Sequence, residues 1–381
     1  MKNSFPSETG AWVEINLSSL NKNLEAIQKK SSPSAKIMAV VKADAYGHGL
    51  IPVANKLIRL GIPALAVGSM AEGVRLREKI GPATPVVALL GLHPEETALC
   101  LQNRLTPVLY SIEAAQRLHQ AAQRRKIRQA VHLKIDTGMG RLGIPWIEFG
   151  EFLYKIKSFK ALQVTGLTSH FGQADEKERP YNQTQWRRFE GALAQAREKG
   201  LELTENHMAN SAALLNVRQS HLHYIRPGIL LYGSNPISSP KPLRPVIRIH
   251  PVMTVKSRIL QVKQVPPGVE VSYGGTYLTS QPETHAIVSI GYANGYPRIL
   301  SNRSQVLIRG RRFPVIGRIC MNLMVVRIDS ALQCHPGEEV VLMGSQGRES
   351  ISAEELAGLA GTIPYELFCL LGSLNPRKYV N

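Results

Sequence analysis

The chain has 381 residues, 44% of them hydrophobic and 19% charged, enough for a large core in one very large domain or two ordinary ones. No apolar run approaches the roughly 20 residues that a membrane helix needs, and the opening MKNSFPSETG lacks the apolar centre of a signal peptide, so a cytoplasmic protein without a membrane partner is expected. The formal net charge of +18 could serve nucleic acid, yet the basic residues fall in short scattered clusters such as QRRKIRQ and RGRRF, with no aromatic-lined RNA motif or DNA-reading helix, which favours a basic enzyme surface and no nucleic-acid partner.

In chain order, the strand-like AWVEINL (11–17) comes first. From residue 36 short β-branched runs alternate with amphipathic stretches, the rhythm of βα units on a parallel sheet. The predicted strands are KIMAVVK (36–42), PALAVG (63–68), PVVALL (85–90), TPVLY (106–110), AVHLKID (130–136), LQVTGLTSH (162–170), ENHMAN (205–210) and HYIRPGI (223–229). Helical patterns such as SMAEGVRLREKI, EAAQRLHQAAQRRK and NQTQWRRFEGALAQAREKG lie between them. Eight units over this length predict a (β/α)₈ TIM-type barrel, an α/β architecture, over 12–245.

Near residue 240 the grammar changes to alternating strands with Gly/Pro turns, including THAIVSIGY, QVLIRGRRFPVIG, MNLMVVRID and EEVVLMG. That predicts a mostly antiparallel β domain over 246–381, joined by the strand at 11–17, which has no place in an eight-stranded ring. Cys100, Cys320, Cys334 and Cys369 are far apart and show neither a metal-ligand spacing nor a disulfide framework, so free thiols and no metal are expected.

In such a barrel, chemistry sits at the C-terminal ends of the strands. Lys42 closes the first, Lys134 and Asp136 lie on the fifth and run into TGMGR with Arg141, His170 closes the sixth, Asn210 and Ser211 the seventh, and Arg226 lies on the eighth. A lone lysine at a strand end is more often a solvated cap. In this company it also suits a partly desolvated amine that forms a Schiff base with a carbonyl compound, the usual attachment of pyridoxal phosphate. The phosphate would need an anion site, for which Asn210 or Ser211 can cap a helix and Pro227, Gly228 and Ile229 give a glycine turn open to close backbone approach; plain capping and turn formation account for the same residues.

The ordered motifs AVVKADAYGHG, HLKIDTGMGRLG, LTSHFGQADE, HMANSAA, RPGILLYG, VSYGGTY, IGYANGYPR, GRICMN and TIPYE, spread over nearly the whole chain, resemble the bacterial alanine racemase family. The resemblance implies a pyridoxal-phosphate enzyme that interconverts L- and D-alanine for peptidoglycan, built as a head-to-tail homodimer with shared sites. It makes Lys42 the Schiff-base lysine and the acid/base group on one substrate face, with Tyr273 of the other copy on the opposite face. It assigns the phosphate to Tyr46, Ser211, Gly228, Ile229 and Tyr365, the ring nitrogen to Arg226 with His170 beside it, and the substrate carboxylate to Arg141 and the Met321 amide. Lys134, often a carbamate in the family, would orient Arg141, while Tyr292, Arg298 and Arg318 would line the entrance.

Asn294 and Asn322 stand where the family usually has aspartate, which leaves substrate preference open. A broad-specificity racemase, a related barrel decarboxylase, or a barrel that carries the cofactor without catalysis are the alternatives. Tyrosines at 273, 292 and 365 would crowd the site toward a small substrate.

Overall fold

The structure is a computed structural model that describes residues 10–237 and 247–381. The change of grammar near residue 240 and the expected boundary at 245/246 fall outside the described residues. So do positions 1–9.

The first strand, β1 (Trp12–Asn16), runs directly into the helix Leu17–Lys30, capped by the Asn16 side chain, which accepts from the Ser19 amide. There follow β2 (Lys36–Val40), β3 (Ala64–Val67), β4 (Val86–Ala88), β5 (Thr106–Leu109), β6 (Gln129–Asp136), the two-residue β7 (Ile144–Pro145), β8 (Leu162–Thr168) and β9 (Tyr224–Ile225). β3 and β4 are buried at every position, as expected of parallel strands covered by helices on one face and packed across a barrel on the other.

The parallel order runs β9, β2, β3, β4, β5, β6, β8, and the ring closes through one residue: His207 bridges Thr168 at the end of β8 and Tyr224 of β9. The full strand predicted at 205–210 is therefore absent. Side chains occupy the positions its ladder would use, since Asn206 Oδ1 accepts from the Leu167 amide and His223 Nδ1 accepts from the Asn206 amide. The last predicted strand is likewise cut to two residues, so Arg226 and the turn to Ile229 lie just past its end.

The second sheet contains β10 (Met253–Val265), β11 (Glu283–Val288), β12 (Gln305–Ile308), β13 (Arg311–Ile316), β14 (Met324–Ile328), β15 (Glu339–Gln346), β16 (Glu349–Ile351) and β17 (Arg377–Val380). All its pairs are antiparallel except β1 with β17. The long β10 pairs with β1 and β15 along its first half and with β11 along its second, so the sheet curls into a ring. Alternate residues Met253, Val255, Ser257 and Ile259 are buried, the period-two signature of a strand with one face on a core. Among the described residues no single helix is long and apolar enough to cross a membrane.

The β domain sits over the C-terminal mouth of the barrel. Its helix Pro364–Ser373 presses on the turn after β2 so tightly that a Cβ on Gly47 would meet the Phe368 carbonyl, and one on Gly372 would meet the Gly47 carbonyl. Asn23 ties the first helix to the segment leading into β10, donating to the Leu231 and His250 carbonyls and accepting from the His250 amide.

Candidate active site

A cavity of about 180 Å³ opens at the C-terminal end of the barrel. It is lined by Lys42, Tyr46, Lys134, Arg141, His170, Asn210, Ser211, Arg226, Gly228 and Ile229 of the barrel, all singled out from the sequence, together with Tyr365 from the β domain; Asp136 and Pro227 stand outside the lining. Val40, Leu89, Leu90, Thr168, Ser169 and Ala212 complete the wall.

Lys42 enters the cavity from an unusual backbone. Ala43, Asp44, Ala45 and Tyr46 have φ of 51, 52, 55 and 54°, a turn of left-handed helix made without glycine. For L-residues this costs about 1 kcal/mol or more each, so the surroundings must hold it. Glu72 Oε1 accepts from the Ala43 amide at 2.6 Å, Asp44 Oδ1 accepts from the Leu50 amide at 2.8 Å, and the Tyr46 ring packs 4.8 Å from that of Tyr232. Burial first, then the positive Arg141, lowers the Lys42 pKa, and among the described residues its amine has no hydrogen-bond or ion-pair partner.

Arg226 is buried at the floor. Its NH2 donates to the Ser169 and Met208 carbonyls at 2.8 and 3.0 Å and lies 3.3 Å from His170 Nδ1; its NH1 reaches Thr168 Oγ1 at 3.2 Å and His207 Nδ1 at 2.7 Å. None of these bonds uses Nε. Burial lowers its pKa to about 10, which leaves it a cation at neutral pH. Burial and then Arg226 also hold His170 and His207 well below the usual histidine range, hence neutral.

The tautomers follow because guanidinium can only donate. His207 Nδ1 accepts from Arg226, so Nε2 carries the hydrogen and donates to His132 Nδ1 at 2.9 Å; His132 Nε2 then donates to Glu205 at 3.0 Å. Thr165 donates to the same carboxylate at 2.6 Å, and these bonds, led by that from His132, hold the Glu205 pKa down to about 2. A buried cation is thus wired through two imidazoles to a carboxylate. Sequence reading missed this chain. Its one legible trace is His132-x-Lys134-x-Asp136 on β6, an alternating polar series facing the barrel interior.

Asp136 shapes the loop that presents Arg141: its Oδ1 accepts from the Gly138 and Gly140 amides and its Oδ2 from that of Arg141. Burial, with Arg226, Arg141 and Lys42 nearby, brings Lys134 down to about 8. Across the cavity Asn210 caps the helix Ser211–Asn216, accepting from the Ala213 amide, and Ser211 Oγ accepts from the Gly228 amide, which leaves its own proton free to donate. A Cβ on Gly228 would meet the Tyr46 hydroxyl, so only glycine admits that approach. Burial pushes the Tyr46 pKa upward and brings Tyr365 up to about 12, so both hydroxyls stay protonated and can donate to an anion.

Apart from Tyr365, the β-domain residues singled out from the sequence do not line this cavity. Tyr273 is 69% exposed and Met321 56%. They belong to three laced loops, in which Ser272 Oγ donates to the Arg318 carbonyl, the Tyr292 amide to the Cys320 carbonyl and the Ala293 amide to the Met321 carbonyl. The Arg318 guanidinium lies beside Gly274, and Arg298 opens the short helix Arg298–Leu300 nearby, where Ser301 Oγ donates to the Arg298 carbonyl and accepts from the Ile319 amide. Asn294 is locked to Asn375, donating from its side chain at 3.2 Å and accepting at its carbonyl at 2.8 Å.

Two family models match the chain: alanine racemase, N-terminal domain, over residues 15–236, and alanine racemase, C-terminal domain, over 252–379. The alanine racemase of Syntrophobacter fumaroxidans is 43% identical over 97% of this chain and 98% of its own length. The alanine racemase of Bacillus anthracis with bound L-Ala-P superposes with a TM-score of 0.89 at 32% identity, over 99% of this chain and 96% of that one. That of Bartonella henselae, with covalently bound pyridoxal phosphate, superposes at 0.86 and 27% identity, over 98% and 100%.

Proposed function

The chain belongs to the alanine racemase family and is a pyridoxal-phosphate-dependent isomerase of alanine, and we propose that it works through two acid/base groups on opposite faces of the substrate, Lys42 of one copy and Tyr273 of another. The observation that carries this reading is the split site: a barrel cavity lined by Lys42, and a loop of the β domain that displays Tyr273 to solvent.

The residues present fit the cofactor. Lys42 offers an unpaired amine with a lowered pKa for covalent attachment. Tyr46, Ser211 and Tyr365 supply hydroxyl donors, and Gly228 and Ile229 a close-approach turn, for the phosphate. Arg226 would serve the ring nitrogen through the nitrogen its other bonds do not use. The bound cofactor supplies an electron sink that acidifies the substrate Cα–H.

The chain's own groups do the rest. Lys42 takes or returns the proton on one face of Cα and Tyr273 on the other, so that removal from one side and delivery to the other inverts the centre. Arg141, on the loop that Asp136 shapes, holds the substrate carboxylate, with the Met321 amide of the second copy beside it. Arg226 stays a cation at neutral pH and hands over no proton, so it would give the cofactor's ring nitrogen a hydrogen bond without protonating it, which would favour return of the proton to Cα over side reactions. Tyr292, Arg298 and Arg318 line the approach. The D-alanine formed would serve peptidoglycan synthesis.

The test is complementation between two inactive variants, Lys42→Ala and Tyr273→Phe, mixed and reassembled, with racemisation of L-alanine followed by circular dichroism. Sharing predicts that each mixed dimer regains one intact site, so activity returns to a substantial fraction of wild type. A mixture as inactive as its components refutes it.

A further inference from the structure

We infer that Arg377 is a positioning residue for Lys42: through Asp44 it clamps the left-handed turn that aims the lysine into the cavity, so that the β domain sets the geometry of the barrel's key amine. The inference rests on the reading of Lys42 as the cofactor lysine.

The turn 43–46 must be held against its own preference, and Glu72 holds only its first amide. The next residue is held from the β domain. Asp44 Oδ2 lies 2.7 Å from Arg377 NH1, and both side chains are mostly shielded, at 22 and 19% exposure. Arg377 is itself fixed, because its Nε donates at 2.7 Å to the carbonyl of Gly372, the residue whose backbone abuts Gly47. Its guanidinium therefore bridges the end of the helix Pro364–Ser373 to the turn.

Strand alternation brings a second group to the same place. Tyr379, two residues along β17, points the same way, and its hydroxyl donates to the His48 carbonyl at 3.2 Å. A Cβ on Gly49 would collide with that hydroxyl. Two alternate side chains of one strand thus pin both ends of the segment 44–48. Arg75, which also touches Asp44 at 3.3 Å, is 61% exposed and makes a looser contact, as expected of a solvated ion pair.

Release of the clamp lets the turn sample right-handed conformations, which redirects Lys42 without removing any group that touches cofactor or substrate. The measurements are amide exchange over 43–48 in the cofactor-free protein and the rate of borohydride-trappable attachment of pyridoxal phosphate, for Arg377→Ala and for Asp44→Asn, which keeps the Leu50 cap acceptor. Loss of one partner of a shielded, charged hydrogen bond predicts about tenfold faster exchange and about tenfold slower attachment. kcat falls while KM for alanine holds, Arg377→Lys recovers part of the loss, and Arg75→Ala stays within about twofold of wild type. Exchange and attachment at wild-type rates in both clamp variants overturn the inference, provided Lys42→Ala abolishes attachment. Attachment that survives Lys42→Ala shows instead that the assignment of the lysine is wrong.

Discussion

The barrel mouth and the β-domain face differ in how far one chain finishes them. At the mouth most polar groups are wired within the chain: the buried Arg226 makes five contacts, Asp136 gathers three amides, and the buried Ser211 binds Gly228. On the β-domain face the backbone is equally well laced, yet the side chains it displays, Tyr273 and Met321 above all, stand in solvent. Ordered loops that carry exposed large side chains are what a contact surface looks like before its partner arrives. On the proposed reading, binding the cofactor is the work of one chain, and turning over substrate the work of two.

The largest break in that division is expected from Lys42→Ala, which on the proposed mechanism removes both the attachment point and one acid/base group. Racemisation falls by about 10⁴-fold or more, and the covalent absorbance of the bound cofactor disappears. Tyr273→Phe sharpens the contrast: activity falls by about 10²–10³-fold while covalent attachment is unchanged, as absorbance titration would show. Dilution of the wild-type protein is predicted to lower specific activity as copies separate, again with attachment intact.

Glu205→Gln probes the wired region alone. Glu205 is held down to about 2 from 4.5, so its contribution to stability is complete above pH 4.5 and is lost as pH falls through about 2. With the side chain 30% exposed, that contribution is about 1–2 kcal/mol. The variant is less stable by that amount at neutral pH, and its unfolding free energy is flatter in the acid range, as urea melts across pH would report. The smallest change is Asn294→Asp, which sets a carboxylate against Asn375 Oδ1; the Asn375 amide cannot turn without leaving its bonds to the Asn294 and Leu371 carbonyls. A loss of about 1 kcal/mol in thermal stability is expected.

Much of this was readable before any coordinates. The buried parallel strands show as apolar runs, and the barrel rule points to their last residues, which brings Lys42, His170 and Arg226 together. The seventh strand was overread because Asn206 and His223 replace a ladder with side-chain bonds that leave no periodic trace. The turn 43–46 is illegible for another reason: KADAY suits a right-handed helix, and the contacts that hold it the other way come from Glu72, Tyr232, β17 and the helix Pro364–Ser373, far along the chain. The Glu205 chain joins residues 73 apart in sequence, which no local pattern can pair.

β1 lies between β10 and β17, antiparallel to one and parallel to the other. During synthesis this first strand therefore waits for partners that emerge only after the whole barrel has been made, a delay of tens of seconds at ordinary ribosome speed. Its apolar residues Val13 and Ile15, both fully buried in the finished molecule, lack the cover of that sheet until then. Closing a loop that spans the whole barrel costs more chain entropy than closing any of the short βα units within it, so the pairing of β1 is the long-range step of this fold.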